Sequence, residues 1–213
     1  MSRAKNFAVY NWSPQRYVEL VEHTKNPMLK EYQRIELDYV TSKIQSPQEK
    51  TFIDVGAGYG RVLPHIVLRA KNTIAVEKDD NMFGKLKRRT GQYPNVLAIQ
   101  GDANNLSQLV EGLDMQNPVI LCLQFSLGTW EGDYRKALDE MRKIAQEKHG
   151  EVIVSTWRQE GFKSHAINVY TSLSGLVGEP DLVKTDLKRG IFRSKTGYLS
   201  RWFTAEERFE IKS

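Results

Sequence analysis

Three glycines and three acids carry the chemistry that can be read from this chain. In the stretch FIDVGAGYGR, residues 52–61, Asp54 stands two positions ahead of Gly56, and Gly58 and Gly60 follow at alternate positions. Glycine lacks a side chain and tolerates positive φ, so such a turn lets the backbone approach a ligand closely. In a dinucleotide turn the glycines are spaced G-x-G-x-x-G, and a pyrophosphate rests on the following helix. Here the spacing is Gly56-x-Gly58-x-Gly60 behind an aspartate. That acid would repel a pyrophosphate but can hold an ammonium group, which favours a nucleoside bearing an amino acid. Glu77 ends the run NTIAVE, seventeen residues past Gly60, near the distance at which a carboxylate reaches ribose hydroxyls. Asp102 lies just beyond the run NVLAIQ, in LAIQGDANNL.

These residues need a scaffold, and the sequence supplies one. Short apolar runs TFIDV, NTIAVE, NVLAIQ, PVILCLQ and EVIVSTW alternate with helical segments such as 79–90 and 133–148. Continuous apolar strands separated by helices predict a parallel sheet covered on both faces, a doubly wound α/β domain. In 133–148, Tyr134, Leu138, Met141 and Ile144 share one face and Gly150 stands where a C-cap is expected. Upstream, Ser13-Pro14 and Asn26-Pro27 read as an N-cap followed by proline at the first helical position. Tyr17, Leu20 and Val21 share a face of the first helix, and Met28, Tyr32, Ile35 and Tyr39 recur at helical spacing in the second. After Trp157 the alternation stops: 160–175 reads as a helix, and 181–203 as two extended segments around RSKTG. Thr204 to Glu207 forms a capping box for a helix of barely two turns before Ser213. A final element is therefore expected to be missing.

The chain has 213 residues, 40% apolar and 27% charged, with net charge +5 and pI about 9.2. No run approaches the roughly 18 apolar residues that cross a bilayer, and MSRAKNFAVYNW lacks the apolar core of a secretory signal. A cytoplasmic location without membrane attachment is expected. The one cysteine, Cys122, can form neither an internal disulfide nor a zinc cluster, and the four histidines are scattered. No metal site is expected.

DVGAGYG resembles motif I of the class I S-adenosylmethionine-dependent methyltransferases, an acid followed by G-x-G-x-G. IAVEKDD with Glu77 and LAIQGDANNL with Asp102 extend the resemblance, which covers residues ~50–157. It implies a Rossmann-like methyltransferase sheet with an N-terminal helical cover over 1–45, a cofactor-binding α/β core over 46–158 and a C-terminal lid over 159–213. The implied cofactor is S-adenosyl-L-methionine. Asp54, Gly56, Ala57 and Gly58 would surround its methionine part, and Gly60 would permit close helix packing. Glu77 would take the ribose hydroxyls, with Lys78 or Met82 beside the adenine. Asp102 and the backbone of Ala103 would read the adenine edge, and Gln124 would face the methionine part or the substrate. The family closes its sheet with a hairpin after the fifth strand; here those strands either come from 181–203 or are absent.

The acceptor is less defined. The stretch LQFSLGTWEGD lacks the [N/D]-P-P-[Y/F] motif of base amino-methyltransferases, and Cys122 lies within a strand, unlike a cytosine-C5 nucleophile. SLGTW resembles the small-molecule and N-methyltransferase branch, which implies that Thr129 and Trp130 border the acceptor. FAVYNWSPQRY resembles that branch's covering segment, making Tyr10 a candidate catalytic residue with Gln124, and Trp12 a substrate contact. Lys184, Lys188, Arg189, Arg193, Lys195 and Arg201 give a basic segment. It suits an acceptor with a carboxylate or phosphate, with Arg193 and Arg201 the candidates, or RNA as the alternative partner. A non-catalytic cofactor-binding module of the same fold is the other alternative.

Overall fold

The computed structural model describes residues 13–42, 49–130, 133–204 and 207. Two units divide the chain, one gathering the described residues of Met1–Lys30, Gly128–Glu131 and Trp157–Ser213, the other those of Glu31–Leu127 and Gly132–Thr156. The first helix, α1 (Pro14–Tyr17), starts as expected: the Ser13 side chain accepts from Arg16 N. It then relaxes into a π-helical turn over Val18–Glu22 that buries Val21. The second helix, α2 (Pro27–Ser42), is opened by Asn26, whose Oδ1 accepts from Met28 N at 3.0 Å and Leu29 N at 3.2 Å. Its buried face differs from the expected one. Met28, Ile35 and Tyr39 are 42%, 55% and 51% exposed, whereas Leu29, Gln33, Glu36 and Val40 are buried. The inward face carries Glu36, whose carboxyl oxygens are met there by Tyr32, Gln124 N, Ser155 and Arg61.

All five apolar runs become parallel strands: β1 (Thr51–Val55), β2 (Asn72–Glu77), β3 (Val96–Gln100), β4 (Val119–Cys122) and β5 (Glu151–Val154), ordered β3-β2-β1-β4-β5. Ile53 pairs with Ile74 on one side and Ile120 on the other. The strand order reverses about β1, so a crevice opens beyond the carboxyl ends of β1 and β4, where such sheets take ligands. Between the strands run α3 (Leu63–Ile66), α4 (Asp80–Thr90), α5 (Leu106–Leu109) and α6 (Tyr134–Glu147). Phe52, Leu63, Ile66, Leu86, Leu121 and Ile153 belong to one continuous core; burying each such side chain stabilises by about 1.5–3 kcal/mol.

Caps set the helix limits. Asp79 accepts from Met82 N and starts α4, and Asp133 accepts from Arg135 N to start α6. Tyr134, Leu138, Met141 and Ile144 are buried as the spacing predicts. The end of α6 is a correction: the left-handed residue is His149, φ 54°, not Gly150. Gly150 instead donates its N–H to Ala145 O at 2.7 Å, completing a Schellman turn. Its lack of a side chain serves close approach, because a Cβ would lie 2.2 Å from Pro118 O.

In the other unit, α7 (Gln159–Ser172) and α8 (Ser174–Val177) precede a hairpin of β6 (Ile191–Arg193) and β7 (Leu199–Arg201). The hairpin forms its own antiparallel two-stranded sheet, and a single parallel bridge joins Trp157 to Trp202. Strands six and seven thus come from 181–203 without extending the five-stranded ladder. Tyr170 stacks on Phe192 at 4.3 Å and accepts from Trp157 Nε1 at 2.9 Å. The expected capping box is present: Thr204 N donates to Glu207 Oε2 at 2.8 Å and Glu207 N to Thr204 Oγ1 at 3.1 Å.

Candidate active site

Gly56, Gly58 and Gly60 have φ of +73°, +58° and +88°, a conformation that side chains resist. Gly56 N and Ala57 N both donate to Val76 O, at 2.9 and 3.0 Å, which pins the turn to β2. At Gly60 a Cβ would lie 2.7 Å from Leu63 Cδ1 and 3.0 Å from Leu86 Cδ1, so the missing side chain lets α3 and α4 pack close to the turn. At Gly58 a Cβ would meet no described residue within 4 Å. Among the described residues, the space over the middle of the turn is open.

Asp54 lies 3% exposed at the end of β1, and its Oδ2 has no hydrogen-bond partner among the described residues. Burial pushes its carboxyl up to about 7; Arg61 opposes this, and Glu36 and Glu77 add to it. Glu77 is better provided for. Its Oε1 accepts from Lys78 N and Asp79 N, both at 2.8 Å, and its Oε2 from Gly58 N at 2.7 Å. Burial raises its pKa, and those backbone donors from Asp79, Gly58 and Lys78 restrain the rise. A carboxylate takes about four donors, so Oε2 has capacity for one more.

Asp102 is the most open of the three. Its Oδ1 caps a 3-10 turn over Ala103–Asn105 by accepting from Asn104 N at 3.0 Å. Lys78 Nζ reaches its Oδ2 at 2.6 Å. Burial works to raise its carboxyl, but the Lys78 ammonium and Asn104 N–H outweigh it and hold the group below its ordinary range. Met82 and Ala103 are both buried. A groove of about 810 Å³ starts at Asn104 and runs along α5 and α6, but its lining includes neither Asp54, Glu77 nor any glycine of the turn.

The sequence reading gave no role to the buried cluster behind the turn. Glu36 Oε1 accepts from Tyr32 OH at 2.9 Å, from Gln124 N at 2.7 Å and from Ser155 Oγ; Oε2 pairs with Arg61 Nη2. The Arg61 and Glu36 side chains are 9% and 2% exposed. One carboxylate thereby joins α2, the end of the glycine turn and the ends of β4 and β5. Tyr32 also stacks on Phe125 at 4.1 Å, and burial, followed by the Glu36 charge, raises its hydroxyl pKa well above the usual value. The available sequence signal was the arginine directly after GYG. Its partner, a glutamate on a helix 25 residues earlier, has no local mark.

Gln124 lies two residues past β4 with φ 55°, followed by Phe125 at 60°. Two consecutive non-glycine residues in this region cost roughly 1–3 kcal/mol each and gather at functional sites. Gln124 Oε1 is buried with no partner among the described residues. Thr129 and Trp130 fall in the other unit, as do Arg193 and Arg201. There Gly128 backs onto Arg201, with a Cβ only 2.8 Å from its carbonyl oxygen, which places Thr129 and Trp130 in sequence beside that strand. The Arg201 guanidinium lies 5.3 Å from the Phe203 ring centroid. Arg193 N donates to Thr185 Oγ1 at 3.0 Å. Tyr10 and Trp12 lie outside the described residues. Among those described, no group of three or more His, Cys, Asp or Glu could hold a metal ion.

No protein-family model matches the chain. It is 40% identical over 58 residues to "Probable ribosomal RNA small subunit methyltransferase A" of Methanosarcina acetivorans, a match covering 27% of this chain. That match spans about a fifth (21%) of the relative's length. Among solved structures it resembles CalS10, an amino pentose methyltransferase from Micromonospora echinaspora solved with S-adenosylmethionine bound. That likeness has TM-score 0.52 and 19% identity and covers 83% of this chain and 79% of the other. The sugar N-methyltransferase KedS8 from Streptoalloteichus also gives TM-score 0.52, at 17% identity, over 83% and 76% of the two chains. With its parallel β3-β2-β1-β4-β5 sheet and glycine turn after β1, the chain has the fold of the class I S-adenosylmethionine-dependent methyltransferases.

Proposed function

We propose that this chain transfers a methyl group from S-adenosyl-L-methionine to a nitrogen or oxygen of a small-molecule acceptor. The observation that carries the reading is Asp54, whose buried carboxylate oxygen has no donor among the described residues, beside a glycine turn that no described residue covers at Gly58. A buried anionic oxygen without a partner costs several kcal/mol, and a ligand ammonium removes that cost. Asp54 then binds the amino end of the cofactor, Glu77 Oε2 accepts from the ribose, and Asp102 with the Ala103 backbone borders the adenine. When bound, the cofactor supplies an electrophilic methyl on a sulfonium whose departure leaves a neutral thioether. The protein's task is alignment and exclusion of water more than strong base catalysis. Glu36 is already engaged by Tyr32, Gln124 N, Ser155 and Arg61, so its role is structural support of the site rather than proton transfer. The amino pentose named for CalS10 and the sugar N-methylation named for KedS8 fit this substrate class.

The decisive experiment is calorimetric titration of wild-type and Asp54→Ala protein with S-adenosylmethionine, followed by a labelled-methyl screen of amino sugars and phenols. Binding by the wild type and its loss in the variant support the reading. Equal binding by both would sink it.

One observation favours a second reading, methylation of RNA: the short match to a ribosomal RNA methyltransferase. The basic segment gives it less support than its composition suggests, because Lys184 and Arg189 are 3.4 and 3.7 Å from Asp181 and Asp186. Salt-sensitive binding of ribosomal RNA would favour RNA as acceptor; insensitivity to salt or no binding counts against it.

A further inference from the structure

Resting on the cofactor reading above, we infer that Glu36 is a positioning residue for the amino-acid end of the cofactor. By taking Arg61, it keeps that guanidinium off Asp54 and holds the Asp54 carboxylate open for an ammonium group.

Two buried carboxylates, Asp54 and Glu36, share the neighbourhood of one buried guanidinium, Arg61. Opposite charges attract strongly where water is excluded, so an unclaimed Arg61 would pair with Asp54. The two groups already feel each other, since Arg61 is the strongest influence opposing the rise of the Asp54 pKa. Yet the arginine pairs with Glu36, and Asp54 Oδ2 is left without a donor. Glu36 is held in the orientation that wins this competition by Tyr32 OH, Gln124 N and Ser155 Oγ. Those donors occupy Oε1 and leave Oε2 to Arg61. Among the described residues, the other charged or titratable groups near Asp54 are Glu77 on β2, whose oxygens are held by the backbone of Gly58, Lys78 and Asp79, and the neutral Cys122 thiol on β4.

The test uses Glu36→Gln, Arg61→Met and the double variant. Glutamine keeps an acceptor oxygen for Tyr32, Gln124 N and Ser155 but turns an NH₂ group toward Arg61, which releases it. Each protein is titrated with S-adenosylhomocysteine, which bears the ammonium, and with 5′-methylthioadenosine, which lacks the amino-acid end. Wild-type protein prefers the first ligand. In Glu36→Gln that preference falls by about tenfold, less than the loss of the buried carboxylate itself because Arg61 only competes for Asp54, while methylthioadenosine affinity stays within about twofold. The double variant regains most of the preference because no guanidinium remains to occupy Asp54. Equal weakening for both ligands, or a double variant no better than the single, overturns the inference. If Glu36→Gln does not fold, Arg61→Met alone decides: retained preference supports the inference, and lost preference means Arg61 itself contacts the ligand and overturns it. Wild-type protein that binds neither ligand overturns the cofactor reading instead.

Discussion

Asp54 stands near the end of β1 and Asp102 just past β3, with β2 between them in one parallel sheet, yet their environments are opposite. Asp54 is buried, lacks a donor on Oδ2 and titrates near 7. Asp102 is partly exposed, caps a turn, pairs with Lys78 and stays acidic. The first is incomplete without a cation; the second is complete on its own. Affinity at this site should therefore depend on the buried acid, and the exposed acid should tune it.

Replacing Asp54 with leucine tests this difference hardest. Removing a buried charge partner should weaken S-adenosylmethionine binding by about 100-fold in calorimetry, and a change under threefold would erase the distinction. Next comes pH. Folded protein keeps the Asp54 proton up to about 7, whereas the unfolded chain releases it near the ordinary carboxylate value. Ligand-free stability should accordingly fall as pH rises through that window, by on the order of 4 kcal/mol at most. Urea unfolding at pH 5 and 7.5 reads this, and Asp54→Asn should flatten it. Asp102, held low, acts with the opposite sign: its contribution is present above the ordinary carboxylate range and is lost as pH falls through its lowered value. Glu77→Gln should cost about tenfold in affinity, since it disturbs the Gly58 N–H bond as well as the acceptor oxygen. Lys78→Ala should change affinity by only about twofold, because its ammonium is 73% exposed and water screens the pair.

The sequence carried the strands and the acids well, because both depend on local pattern. TFIDV and PVILCLQ are apolar without alternation, which only strands buried on both faces require. Ser13, Asn26 and Asp79 marked helix starts through side chains that bond within three residues, and the reciprocal Thr204–Glu207 bonds follow the same local logic. Glu36 escaped notice because burying it depends on Arg61, Gln124 and Ser155, which are 25, 88 and 119 residues away. An apolar-face rule therefore selected Met28, Ile35 and Tyr39, which face solvent. Likewise, nothing in QFS announces that Gln124 and Phe125 adopt left-handed backbone.

Cys122 gives the molecule an internal clock. It sits in β4 with no exposed surface, and burial, with the Asp54 charge behind it, pushes its thiol up to about 12. Thiolate chemistry is shut off while β4 keeps its neighbours β1 and β5. Since this is the sole cysteine, the rate at which an alkylating reagent consumes it reads the opening of the strand beside Asp54. A ligand that fills the Asp54 end should slow that clock.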